Sequence, residues 1–90
     1  MAGTNPLQVK ADRYVSEKLR EVRGDEPRIS FGKKIGLSET QIYQYESFRN
    51  KVSFGRLVMI ARIIGLPLDH FAIPDSLLHE TDNEKELNRA

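Results

Sequence analysis

Ninety residues bound this chain to one domain with a modest core. The absence of cysteine excludes a disulfide framework, a thiolate metal site and a cysteine nucleophile, and fits a reducing cytoplasm. The net charge of +1 is unevenly spread: residues 1–27 carry five Lys/Arg and five Asp/Glu, residues 28–62 seven against two, and residues 63–90 two against six. A basic middle with an acidic tail points to phosphate contact, with a lopsided solvated surface as the plainer alternative.

The first five residues read as a flexible terminus without the apolar core of a signal peptide. Asn5 is placed to cap a first helix with Pro6 at its opening position, where a missing N–H costs nothing. Leu7, Ala11, Val15, Leu19 and Val22 recur at helical spacing, so the helix starts between Pro6 and Asp12 and stops at Gly24. Residues 25–27 turn the chain into a second helix over 28–35, with Phe31 and Ile35 facing one way. Gly36 ends it. Ser38 and Gln41 have the spacing of a capping box, which opens a third helix over about 39–47.

Ser53 caps a fourth helix over 54–64. Its apolar residues lie almost all round, which predicts a central place in the core. The stretch 57–68, broken by Arg62, Gly65 and Pro67, is too short to span a bilayer. A short fifth helix is expected near Leu68 and Phe71, closing a domain over 6–74. Residues 75–90 form an acidic extension. Leu77 and Leu78 fit one more turn, Thr81 and Glu84 could cap a last helix, and the end of the chain is expected to be largely disordered.

The expected fold is therefore all-α, and its centre is a pair of short helices joined by a tight glycine turn, a helix-turn-helix. Gly32 sits where the second helix must meet the third closely, so a side chain larger than alanine is expected to clash there. Leu37, Ile42 and Tyr45 anchor the turn and the third helix inward. At 100° per residue the opposite face holds Thr40, Gln44 and Ser47, with Tyr43 beside them and Glu39 at the N-terminal end. That face carries no aliphatic residue. Gln44 is the best candidate for bidentate contact with an adenine edge. Thr40 suits a thymine methyl or a phosphate, and Glu39 could accept only from a cytosine amino group. The phosphate-contact candidates are Arg28, Lys33, Lys34, Arg49, Asn50, Lys51 and Arg56.

Four segments carry a resemblance: Leu19-Arg20-x-x-Arg23-Gly24, Phe31-Gly32-x-x-Ile35-Gly36-Leu37-Ser38, Ile42-x-x-Tyr45-Glu46, and Leu57-x-x-Ile60-Ala61-x-x-Ile64-Gly65-Leu66-Pro67-Leu68-Asp69-x-Phe71. Together they resemble the Cro and phage-repressor (XRE-type) helix-turn-helix family over more than half the chain. The resemblance implies a compact five-helix lambda-repressor-like domain and a recognition helix in the major groove. It also implies a homodimer on a palindromic double-stranded DNA operator, and a pair between Arg20 and Glu46 that ties the first and third helices together. Two departures stand out. Glu26-Pro27-Arg28 replaces the family's Leu-Ser-Gln with about one extra residue, and Phe48 replaces the glycine after Tyr-Glu-x. With that glycine gone, the left-handed turn is expected at Asn50, and Phe48 either packs inward or is exposed at the DNA edge or a partner surface.

An enzyme does not fit this sequence. His70 and His79 lie nine apart with nothing to order them as an acid–base pair or a metal site, and there is no glycine-rich phosphate loop or cofactor motif. The rival is a protein-interaction module of the same fold, an antitoxin or partner-binding regulator with secondary DNA binding. Its patch would be formed by Phe48, Phe71, Ile73, Leu77 and Leu78.

Overall fold

The computed structural model describes residues 5–79. Among them are α1 (Pro6–Arg23), α2 (Arg28–Ile35), α3 (Glu39–Glu46), α4 (Phe54–Ile64), a 3₁₀ turn (Leu68–Phe71) and a one-turn α5 (Asp75–Leu78), with no strand. The all-helical architecture is the one expected. The last helix that Thr81 and Glu84 would cap lies outside the described residues.

Local chemistry accounts for the boundaries. Asn5 Oδ1 accepts from the Leu7 N–H at 2.8 Å, which places the start of α1 at Pro6 and not at Asp12. The Ser38–Gln41 capping box is complete: the Gln41 N–H donates to Ser38 Oγ at 3.1 Å, and the Ser38 N–H donates to Gln41 Oε1 at 2.9 Å. Gly36 closes α2 in the left-handed region at φ 76°.

The core runs through Leu19, Phe31, Ile35, Leu37, Ile42, Tyr45 and Ile60, drawn from α1, α2, the turn, α3 and α4. Phe71, 1 % exposed, closes it from the 3₁₀ turn. A Cβ at Gly32 would collide with the Leu37 carbonyl oxygen and stand 3.1 Å from Ile42 Cδ1. The constraint is thus tighter than the sequence implied, because alanine already meets backbone.

α4 departs from expectation. It was predicted to sit centrally, yet only Ile60 and Ala61 are buried, while Phe54 is 72 % and Ile63 49 % exposed. α2 and the 3₁₀ turn pack on one side of α4, and among the described residues no element packs on the side that carries Phe54 and Ile63. No single helix among the described residues is long and apolar enough to cross a membrane.

Candidate nucleic-acid interface

The α2–turn–α3 unit presents the outer face of α3 to solvent. Ile42 and Tyr45 are buried, whereas Glu39, Thr40, Tyr43 and Ser47 are exposed and Gln44 is half-buried. Arg28, Glu39, Thr40 and Tyr43 line one shallow depression, and Arg20, Arg28, Tyr43, Glu46 and Ser47 line the next. The five candidate base-contact residues therefore share the face of one helix, and Arg28 stands at its side.

Tyr43 organises the cations. The Arg28 guanidinium lies 5.3 Å and that of Arg49 5.7 Å from the centre of its ring, so two candidate phosphate ligands converge on one exposed aromatic. Ser47 Oγ donates to the Tyr43 carbonyl at 2.8 Å, which spends its proton on the helix and leaves its lone pairs as the free function. Gln44 Oε1 accepts from Asn50 Nδ2 at 2.9 Å. Lys51 Nζ reaches Asp12 on α1 at 3.5 Å, so this cation is held beside α3 by an ion pair across to the first helix.

Not every candidate joins this surface. Lys34 Nζ bonds Glu26 Oε1 at 2.8 Å, and both line a groove with Val22, Phe31, Ile63, Ile64 and Leu66, away from the residues around Tyr43. The Glu26 carboxylate, also bonded by Ser30 Oγ, is held below its ordinary pKa chiefly by Lys34 and then by Ser30. Lys33 is exposed on α2. Arg56 turns inward, where Nη1 donates to the Tyr45 hydroxyl at 2.8 Å.

The pair implied between Arg20 and Glu46 is replaced. Arg23 Nε donates to Glu46 Oε2 at 2.6 Å, Arg23 Nη2 donates to Oε1 at 2.9 Å, and Arg28 Nε reaches Oε1 at 3.1 Å. Arg23 stands at the end of α1, where Nη1 also holds the Glu26 carbonyl at 2.8 Å. The Glu46 hydrogen bond raises the Arg23 pKa above its ordinary value. Arg20, one turn earlier, is exposed beside Ser47, and its guanidinium has no hydrogen-bond or ion-pair partner among the described residues. It is a cation beside α3 that the family resemblance assigns to Glu46.

Phe48 is the second correction. It takes the left-handed turn itself, at φ 60°, the only non-glycine residue with positive φ among those described. Ser47 is the C-cap of α3, so Phe48 falls where a left-handed residue closes a helix. The Phe48 N–H donates to the Tyr45 carbonyl at 3.2 Å and the Arg49 N–H to the Gln44 carbonyl at 2.8 Å, the paired bonds of a Schellman motif. The ring is half-buried, with the Arg13 guanidinium 4.6 Å above it. Of the other residues of the rival patch, Phe71 is buried, and Ile73 and Leu77 line a depression against α1.

An exposed polar helix, set by a tight turn and flanked by arginines, is now placed on a compact helical domain. The chain is similar to helix-turn-helix transcriptional regulators. It is 34 % identical over 64 residues to an uncharacterized transcriptional regulator in the ATPase CF(0) region of Rhodospirillum rubrum, a match covering 67 % of this chain and 57 % of that protein. It is 29 % identical over 73 residues to uncharacterized HTH-type transcriptional regulators of Rickettsia prowazekii and Rickettsia conorii. Those matches cover 79 % of this chain and 56 % and 58 % of the two proteins. The chain thus spans little more than half the length of these relatives. No family model matches it, and no solved structure gives a significant match.

Proposed function

We propose that the protein is a transcriptional regulator of the Cro and phage-repressor type that binds double-stranded DNA in the cytoplasm by laying α3 in the major groove. The observation that carries this reading is the convergence of Arg28 and Arg49 on Tyr43 beside the hydrogen-bonding face of α3. Anchoring cations next to readable side chains are what groove recognition requires, because phosphate contacts set the register and base contacts the sequence. Thr40, Tyr43, Gln44 and Ser47 meet base edges, with Glu39 at the margin. Arg28, Arg49, Asn50 and Lys51 hold phosphates, joined by Arg20; Lys33 is exposed on α2, while Lys34 and Arg56 are engaged by Glu26 and by the Tyr45 hydroxyl. The protein acts as a homodimer on a palindromic operator, with recognition helices about 34 Å apart, and represses by occupying the site.

The test is selection of bound duplexes from a random pool, with Gln44→Ala run alongside. Enrichment of a two-fold symmetric site, relaxed in the variant, is the expected result. Weak binding indifferent to sequence would sink the operator reading.

One observation favours a second reading, a partner-binding module with secondary DNA binding. Ile29, Met59 and Ile63 are exposed, and Ile63 borders the groove that Val22, Phe31 and Leu66 line. A surface of this kind suits a protein partner better than the half-covered Phe48 does.

A further inference from the structure

Gln44 is tied to the loop after α3 by three hydrogen bonds. Its carbonyl oxygen accepts from the backbone N–H of Arg49 at 2.8 Å and of Asn50 at 3.1 Å, and its side-chain Oε1 accepts from Asn50 Nδ2 at 2.9 Å. The backbone bonds close the helix and fix where Asn50 stands. The side-chain bond then fixes a glutamine carboxamide that would otherwise turn freely about three torsions. Asn50 is itself exposed and Gln44 half-buried, so burial supplies little of this restraint.

We propose that Asn50 is a positioning residue for base recognition, which sets the end of the Gln44 carboxamide that meets the DNA. The proposal rests on the operator reading above and departs from it in one respect, since Asn50 there is a phosphate ligand only. With Oε1 facing Asn50, the Nε2 amino group is turned away from the loop and offers donors. Donors match the acceptors of a purine in the major groove, N7 of adenine or N7 and O6 of guanine. Oε1 keeps one lone pair for the adenine amino group, so purines, which offer N7 beside a second group, are favoured over thymine, which offers O4 alone, and over cytosine, which offers the donors no acceptor. The arrangement explains how a long, flexible side chain reads a base without the ring of a rigid neighbour to pin it. It also links readout to the loop that carries Arg49 and Lys51, so a loop drawn onto a phosphate carries the Gln44 amide with it.

The experiment is duplex selection with the full chain and with Asn50→Ala, Asn50→Asp, Gln44→Ala and the double variant Gln44→Ala/Asn50→Ala, each first checked for folding by its thermal melt. Asn50→Ala is expected to lower enrichment of the purine at the Gln44 position by about fivefold or more, the low end of what one good base contact confers, with other positions unaltered. In the Gln44→Ala background it should change no preference further. Asn50→Asp can only accept, so it should hold Nε2, turn Oε1 outward and shift the preference toward bases that donate, cytosine or adenine. If Asn50→Ala weakens every duplex alike with its preferences intact, Asn50 is a phosphate ligand and the positioning role is overturned while the operator reading stands. A preference change that survives in the double variant overturns it too. If the wild type itself enriches no sequence, the operator reading falls and takes this role with it.

Discussion

Arg23 grips Glu46 through two parallel hydrogen bonds of 2.6 and 2.9 Å, joining the last residue of α1 to the last residue of α3. The Glu46 side chain is 3 % exposed and that of Arg23 12 %. Removing the cation leaves a carboxylate out of water with only the longer Arg28 contact, so Arg23→Ala should lose about 3 kcal/mol of stability. Arg20→Ala, with no bond to break, should stay within about 0.5 kcal/mol. Urea unfolding ranks the two, and the reverse order would restore the pair that the family resemblance implied.

Gly32 is pressed against the Leu37 carbonyl, which is part of the turn itself. Gly32→Ala gains helix propensity but must move that backbone, and the second effect is the larger. A net loss of about 1–3 kcal/mol is expected, with DNA affinity falling as α3 is displaced. A variant as stable as the wild type would show that the turn has slack.

Ser16 is 2 % exposed and its hydroxyl has no hydrogen-bond partner among the described residues. Ser16→Ala removes an unpaid desolvation and places a better helix former within α1. The melting temperature should rise, by the equivalent of about 0.5–1 kcal/mol. A fall would mean that the hydroxyl is bonded in solution.

Phe48 carries a bulky side chain at φ 60°. Phe48→Gly and Phe48→Ala both lose the Arg13 contact and the ring's burial, but only glycine relieves the backbone. Glycine should therefore be the more stable of the two by about 1 kcal/mol, the left-handed penalty of a residue with a Cβ. Calorimetry of the pair isolates that term, and equal stability would place the left-handed turn elsewhere.

Lys51 Nζ lies 3.5 Å from Asp12 Oδ2, so under the proposed operator reading Asp12 competes with phosphate for this cation. Asp12→Asn should tighten binding to every duplex by about two- to fivefold at low salt, in line with the worth of a partly exposed ion pair. Lys51→Ala should weaken all sequences alike and reduce the slope of log affinity against log salt by about 0.9. A sequence-selective effect in either variant would count against a phosphate role for Lys51.

Much of the helical frame was legible in the residues because its signals are local. Asn5, Ser38 and Ser53 cap the helices they were expected to cap, and Gly36 turns the chain where it was expected to turn. The outward set of α3 followed from its periodicity once Ile42 and Tyr45 defined the inside. What escaped depended on distances between helices. Arg20 and Arg23 stand three apart on α1, near neighbours on its surface, so spacing could not tell which of them meets Glu46. For Phe48 the residues carried no signal: the left-handed position is set by the Schellman bonds of the Phe48 and Arg49 N–H groups after the Ser47 C-cap, which the structure alone shows.

Helix ends and the outward residues of α3 can be read from the residues alone, because capping hydrogen bonds and a 3.6-residue period act within a few residues of chain. Packing decides which arginine neutralises Glu46, which side of α4 stays bare among the described residues, and that Asn50 holds the Gln44 carboxamide. These are contacts across packed elements and turns, where an ångström of approach selects one of several chemically equivalent partners, and no periodicity along the chain records that choice.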